Sequence, residues 1–280
     1  MPDSDRPDQP RPQEGPSSMT LPTAALRTAL DHLNTGLRLL STRHLAHPPA
    51  DLAEAAEHLC YLVRTTGRLF GQHADEAAFL LSRRDADTAA YSRALLHPVQ
   101  RVQETAQQLR AENSKTFHVL TSGGDIYRRL DWDRRNGYLE RFAPFPADLR
   151  LHLERTDRPS PATRQAVGAL ASAEDAGHVA TGNYGHTRPP AKVSQSMHEM
   201  AEVYRAAGQI AELMQQCAWH PDWSGRNDAG TLASHLSWVR QYWHQAKTGL
   251  GVQAKAATEH SAALLHLGRA LPELKTHFWG

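Results

Sequence analysis

The sequence has little cysteine, almost no net charge and no long apolar run, and each absence excludes a class of protein. Its two cysteines, Cys60 and Cys217, both lie in predicted helices, so buried free thiols are expected rather than a disulfide or a metal pair. The formal net charge of +1 disfavours wholesale binding of polyanions, which requires an excess of cations. Because no apolar run approaches the length of a membrane span, no transmembrane helix and no membrane partner are expected.

The amino terminus lacks two further features, a cationic start and an apolar centre, that a secretory signal requires. The simplest predicted location is therefore the cytoplasm. Residues 1–19 are rich in proline, aspartate and serine and contain no apolar residue except Met1 and Met19. Such a stretch cannot bury enough surface to offset the entropy of ordering it, so we predict a disordered tail over 1–19.

The usual signatures of nucleophilic and phosphate chemistry are also absent. There is no Gly-x-Ser-x-Gly elbow and no Gly-x-x-x-x-Gly-Lys-Ser/Thr loop. Cys217 and His220 lie three apart on one element, which is not the convergent geometry of a catalytic dyad. The sequence therefore predicts no catalytic residue and no cofactor, and it favours a protein that is not an enzyme.

What the sequence does contain is helix periodicity. Apolar residues recur at steps of three and four, the spacing of one helix face, from Leu26 to Leu40. Proline pairs or caps mark further helix starts at Pro48-Pro49, Ser160-Pro161 and Pro189-Pro190, since proline is tolerated in a first turn. The fold class predicted from these segments is all-α.

A faint internal repeat divides the chain into two units. Shifting the numbering by the difference between Pro189 and Pro48 superimposes Pro48-Pro49-Ala50 on Pro189-Pro190-Ala191, Gly36 on Gly177 and Gly67 on Gly208. In this frame there are 7 identities over the 45 positions from 25 to 69. Convergence of Ala-rich helical hairpins on such a pattern is the alternative to duplication. We predict two tandem units of three or four helices, with bounds of 20–114 and 160–280.

Residues 115–159, between the two units, are predicted to form an irregular connector with short helices. Thr116 to Thr121 has the composition of a short strand, and Ser122-Gly123-Gly124-Asp125 is typical of a turn. In the second unit, Gly249 and Gly251 predict a break between a helix that begins near Asp228 and a last helix from about Ala254 to Leu274, because each glycine destabilises a helix interior by about 1 kcal/mol.

The connector also carries the best candidate for nucleic-acid binding. Aromatic rings that could stack on bases alternate there with guanidinium groups that could grip phosphates. The candidate residues are Tyr127, Arg128, Arg129, Trp132, Arg134 and Arg135. Three aspartates in the same run partly neutralise it, so a solvated helix face with ordinary ion pairs is the alternative.

Glu54 and His58 are the candidates for a metal site. Their spacing of four places a carboxylate and an imidazole on one helix face, as in metal sites of helical bundles. The Pro-Pro connection predicts that the first two helices pack antiparallel, but a mismatch of about 9 Å along them disfavours His32 or Asp31 as a third ligand. We therefore expect an exposed pair and no bound metal.

Tryptophans near chain turns are the candidates for a partner surface. Trp219 and Trp223 lie in a predicted turn, where packing against the paired helices is the alternative to binding a partner. Trp238 and Trp243 are five apart and cannot both face one core stripe. One of these two, with Tyr242, is expected on a second surface. The leading hypothesis is a non-enzymatic interaction or scaffold protein that binds a protein partner or itself. The alternatives are a nucleic-acid accessory protein and a metal-dependent enzyme.

Overall fold

The computed structural model describes residues 22–41, 47–82, 89–136, 161–182, 190–217 and 230–270, and it folds them into six helices with no strand among them. The helices are α1 (Pro22–Leu40), α2 (Pro49–Ser82), α3 (Ala89–Arg135), α4 (Pro161–Gly182), α5 (Pro190–Cys217) and α6 (Gly230–Ala270). The predicted all-α class is confirmed. Across this part of the chain, no helix combines the length and the apolarity that a membrane span needs. The predicted tail lies outside the described residues.

Proline is the first residue of four of the six helices, and three of these starts lie at positions that the sequence indicates. Pro49, Pro161 and Pro190 are the first residues of α2, α4 and α5. Proline fits there because its missing N–H has no partner in a first turn and its fixed backbone angle is already helical. The helix starts predicted from the proline pairs are thus confirmed to within one residue.

The six helices pack as a closed ring in the order α1, α4, α2, α3, α6, α5 and back to α1. The longest pair, α3 and α6, runs antiparallel, since Gln253 donates to the Glu112 carbonyl (3.1 Å) and His260 lies 2.7 Å from the Thr105 hydroxyl. By contrast α2 and α4 run parallel, because the Asp51–Arg164 and His58–Glu174 pairs advance together along both helices. The ring closes around one continuous apolar core.

The helix contacts have a two-fold pattern. If α1, α2 and α3 are exchanged with α4, α5 and α6, the same pairs of helices are in contact. Individual contacts also recur at positions that the repeat makes equivalent. Arg64 lies over the Phe117 ring at 5.7 Å, and their equivalents in the second half, Arg205 and Thr258, are joined by a hydrogen bond. A duplicated three-helix unit would produce this two-fold pattern, and the duplication itself stays a prediction. The two halves interlock, because α1 lies against helices of the second half.

The expected antiparallel packing of the first two helices is wrong. Helix α1 packs on α4 and α5 rather than on α2. Gly36 allows α1 to approach α4 closely, since a Cβ at this position would lie 3.1 Å from the Leu170 side chain of α4. Helix α2 has its own apolar face occupied by α3 and α4.

The predicted strand over 116–121 and the turn after it are also wrong. Both lie inside α3, which is continuous from Ala89 to Arg135 and contains Pro98. Two glycines in this stretch permit close helix packing, since a Cβ at Gly123 would lie 3.2 Å from the Trp243 ring and one at Gly124 would lie 3.3 Å from Ala56. Residues 137–160 lie outside the described residues, so the domain bounds stay predictions.

The break predicted at Gly249 and Gly251 does not occur, because α6 is continuous from Gly230 to Ala270. A Cβ at Gly249 would lie only 2.5 Å from the Thr116 hydroxyl oxygen of α3. Gly249 therefore allows the two longest helices to approach, and the packing it permits compensates for its low helix propensity.

The centre of the ring contains a small buried polar network. The Tyr204 hydroxyl lies 3.0 Å from the Thr66 hydroxyl, and Asn113 donates to the Val63 carbonyl (2.7 Å) and to Tyr204 (3.4 Å). Burial raises the pKa of Tyr204, so the phenol stays protonated. Phe70 packs beside Tyr204 with ring centres 6.2 Å apart. This network joins α2, α3 and α5.

His260 predicts a specific acid sensitivity of the fold. It is fully buried, and desolvation lowers its pKa from 6.5 to about 3. The unfolded chain gains a proton below pH ~6.5 while the folded chain does not, so stability present at neutral pH is lost as the pH falls. From pH 7 to pH 5, this one residue is expected to remove about 2 kcal/mol of unfolding free energy.

Chemical denaturation of the wild type and of His260→Gln at several pH values measures this effect. The variant is expected to lose about 2 kcal/mol less than the wild type between the two pH values. The exposed His266 supplies the matched control, since His266→Gln is expected to retain the wild-type slope. Equal slopes for wild type and His260→Gln would contradict the prediction.

Candidate functional site

Tyr127, the first residue of the predicted nucleic-acid segment, lies in the core. It is 2% exposed, and its hydroxyl donates to the Met214 carbonyl of α5 at 2.7 Å. Its ring lies 6.0 Å from the Trp243 ring, centre to centre. In this position the ring stabilises the packing of α3 on α5 and α6, and it does not present a face on which a base could stack.

Two arginines of the same segment are held by carboxylates. Arg128 pairs with Asp125 at 2.6 Å and with Glu57 of α2 at 2.8 Å, and Arg135 pairs with Asp131 at 2.8 Å. These contacts follow the ion-pair alternative that the three-residue and four-residue spacings allow.

Of the three remaining residues of the segment, two are exposed and the side chain of the third is not described. Arg129 and Trp132 are exposed, Trp132 by 54%, whereas the Arg134 side chain lies outside the described set. The structure thus places six predicted residues on one helix without bringing them together on one exposed face. Nucleic-acid binding by this segment stays a prediction.

The proposed metal ligands Glu54 and His58 each pair with a different residue of α4. Glu54 lies 3.0 Å from Arg164, and the His58 Nδ1 atom lies 2.8 Å from Glu174. Within the described residues, no group of three or more histidine, cysteine, aspartate or glutamate side chains is arranged to hold a metal ion. Glu54 and His58 therefore connect α2 to α4, and the expected pairing with each other is not observed.

Arg164 makes a second ion pair that the sequence pattern did not indicate. Its guanidinium lies 2.9 Å from Asp51, a carboxylate that is 2% exposed in the first turn of α2. Burial raises the pKa of Asp51, and the Arg164 charge opposes that shift. One Asp51 oxygen is buried without a hydrogen-bond partner. Sequence spacing could not indicate this pair, because its members lie on two helices that are far apart along the chain.

Trp238 forms an exposed aromatic pair with a neighbour on its own helix. Trp238 is 49% exposed, and its ring stacks on that of Tyr242 with centres 6.2 Å apart and planes at 27°. Trp243 is fully buried, so only one of the two residues faces the core, as the five-residue spacing predicts. Trp219 and Trp223 lie outside the described residues. The Trp238–Tyr242 pair is therefore the candidate site for a protein partner.

Cys60 is buried between α2 and α3, as the sequence predicts. Its sulfur lies 3.1 Å from the Thr121 hydroxyl and 3.8 Å from the Phe117 carbonyl oxygen. Burial raises the thiol pKa, which keeps the group protonated and unreactive at neutral pH. Cys60 also lines a groove on the surface of these two helices.

Comparison with known proteins identifies no relative of this chain, since no family model, no curated protein and no solved structure matches it.

Proposed function

We propose that this chain is a cytoplasmic, non-enzymatic interaction protein that binds a protein partner through the Trp238–Tyr242 pair of α6. The observation that carries the proposal is the 49% exposure of a tryptophan already stacked on a neighbouring ring. Exposed tryptophan and tyrosine are the residues that most often dominate protein interfaces, because they bury a large apolar area and still offer a hydrogen bond.

The neighbouring helix extends this aromatic pair into a larger surface. Contacts of Gly123 with Trp243 and of Gly249 with Thr116 define the register of α3 against α6. In that register Tyr242, two helix turns before Gly249, lies on the side of α6 that adjoins α3.

Two half-buried residues continue the surface on α3. Val119 and Ile126, seven residues apart, lie on the side of α3 that adjoins α6 and pack against the core. A partner that covers Trp238 would therefore also contact an apolar strip, as expected for the centre of an interface.

The first partner to test is a second copy of the chain. Sedimentation equilibrium of the full chain over a hundredfold range of concentration is expected to show a dimer. Trp238→Ala is expected to weaken that dimer by about thirtyfold, the effect of removing one interface hot spot of about 2 kcal/mol. Trp132→Ala is the matched control, since Trp132 is 54% exposed on another helix and should leave the dimer intact.

A monomer at every concentration would exclude self-association. Binding of another protein through this surface would then have to be abolished by Trp238→Ala and retained by Trp132→Ala. Binding of DNA or RNA at low salt that weakens steeply with added salt would instead favour the nucleic-acid hypothesis. Equal association of both variants with every partner would contradict the proposal.

A further inference from the structure

A groove of about 150 Å³ opens on the surface between α2 and α3, away from the Trp238–Tyr242 pair. Arg64 lies at one end of the groove, and the Glu57–Arg128 ion pair lies at the other. Between these charged ends the floor is formed by Ala56, Phe117, Leu120 and Gly124, and Cys60, Tyr61 and Thr121 complete the walls. The groove thus combines an apolar floor with a cation at one end.

The floor is open because two of its residues, Ala56 and Gly124, are small. Gly124 has no side chain, and its neighbour across the helix pair is Ala56, whose Cβ lies 3.3 Å from a Cβ built at Gly124. The equivalent positions of the second half, in the frame of the internal repeat, are Met197 and Leu265, which carry large side chains. The small residues at both positions of the first half leave space for a small ligand.

The size and polarity of this space favour an aromatic ring. A cavity of about 150 Å³ with apolar walls is large enough for one benzene ring. The Cys60 thiol, whose pKa is raised by burial, contributes a neutral and polarisable wall. The Thr121 hydroxyl already donates to the Phe117 carbonyl at 2.9 Å, so it places no unsatisfied donor in the floor.

Arg64 places a positive charge at the end of the groove, where it could bind a negatively charged group of an aromatic ligand. Its guanidinium carbon lies 5.7 Å from the centre of the Phe117 ring, and Arg64 forms no ion pair with another described residue. Stacking on Phe117 occupies one face of the guanidinium and leaves its N–H edges available for a carboxylate. Arg128, at the other end, already holds Glu57 and Asp125.

We propose that this groove binds a small monocyclic aromatic carboxylate, with the ring on the Leu120–Gly124 floor and the carboxylate on Arg64. The class follows from the two features together. The volume of the groove matches a single ring, and one available guanidinium matches one carboxylate in a bidentate geometry. This site is independent of the partner surface on α6.

Benzoate is the probe that tests the proposal, added to the full chain and followed by isothermal titration calorimetry and ligand-observed NMR. We expect saturable binding with Kd of about 1 mM, as for a ligand of this size. Arg64→Gln is expected to weaken binding about tenfold by removing the charged hydrogen bonds. Arg68→Gln, one helix turn further along α2 and exposed, is the matched control and should bind as the wild type does.

Benzyl alcohol separates the contribution of the charge from that of the ring. It retains the ring and lacks the carboxylate, so its affinity for the wild type is expected to be about tenfold below that of benzoate. It should bind wild type and Arg64→Gln equally. No saturable binding of benzoate, or equal affinity of benzoate for wild type and Arg64→Gln, would overturn the proposal.

Discussion

Trp243→Ala is expected to lower the free energy of unfolding by about 3–5 kcal/mol, the usual effect of truncating a large buried aromatic residue. Trp243 is fully buried, and its ring lies against Tyr127 at 6.0 Å and against the backbone position of Gly123. Truncation leaves a cavity where α3 meets α6, the longest helix pair of the ring. Chemical denaturation measures the loss directly, and the melting temperature should fall by about 10 °C.

Two comparison variants separate burial from residue type. The Trp243 indole nitrogen is buried without a hydrogen-bond partner, so Trp243→Phe removes an unsatisfied donor along with part of the ring and should cost about 1 kcal/mol or less. Trp238→Ala removes a tryptophan that is 49% exposed on the same helix and should also cost less than about 1 kcal/mol. If Trp243→Ala proved no more destabilising than Trp238→Ala, the position of Trp243 at the helix interface would be wrong.

The local helix signals were sufficient to predict most of the secondary structure. Proline starts at Pro49, Pro161 and Pro190 and apolar periodicity depend only on residues close in sequence, so they can be recognised without the tertiary structure. The same is true of Trp238 and Trp243, since a separation of five residues places two side chains on different sides of any helix. Their opposite exposures follow from that spacing.

Glycines inside helices could not be interpreted correctly from the sequence. The sequence predicts a turn at Gly123 and Gly124 and a break at Gly249, because glycine lowers local helix stability by about 1 kcal/mol. All three lie at helix contacts instead, where a Cβ would press on Trp243, Ala56 or Thr116. The gain from close packing depends on the facing residue, and that residue is far away in sequence.

The contacts of the candidate site residues also could not be predicted from the sequence, because they depend on helices that are distant along the chain. Glu54 and His58 share a helix face as predicted, yet their partners Arg164 and Glu174 come from a helix in the other half of the chain. Helix periodicity indicates which residues share a face, but it does not identify the helix that will lie against that face. The alternation of aromatic residues and arginines predicts a nucleic-acid surface that includes Tyr127, but packing against α5 and α6 buries this residue.

Gly67→Ala is expected to destabilise the fold by about 2–4 kcal/mol, although alanine is the better helix former. A Cβ at Gly67 would lie 2.0 Å from the Asn113 side-chain oxygen, a distance that no real contact allows. Asn113 is buried and donates to the Val63 carbonyl at 2.7 Å. It would have to move and leave that hydrogen bond, a loss of about 1–3 kcal/mol in addition to the strain.

Gly168→Ala is the matched control, because Gly168 lies on the exposed face of α4 and a Cβ there meets nothing within 4 Å. That substitution is expected to stabilise the protein by about 0.5–1 kcal/mol through helix propensity alone. The double variant Gly67→Ala, Asn113→Ala should be more stable than the sum of the two single losses predicts, since removing the amide removes the clash. Urea denaturation of the wild type, Gly67→Ala, Asn113→Ala, the double variant and Gly168→Ala measures the change in unfolding free energy for each substitution. Strict additivity of the Gly67 and Asn113 effects would show that these two residues are not in contact.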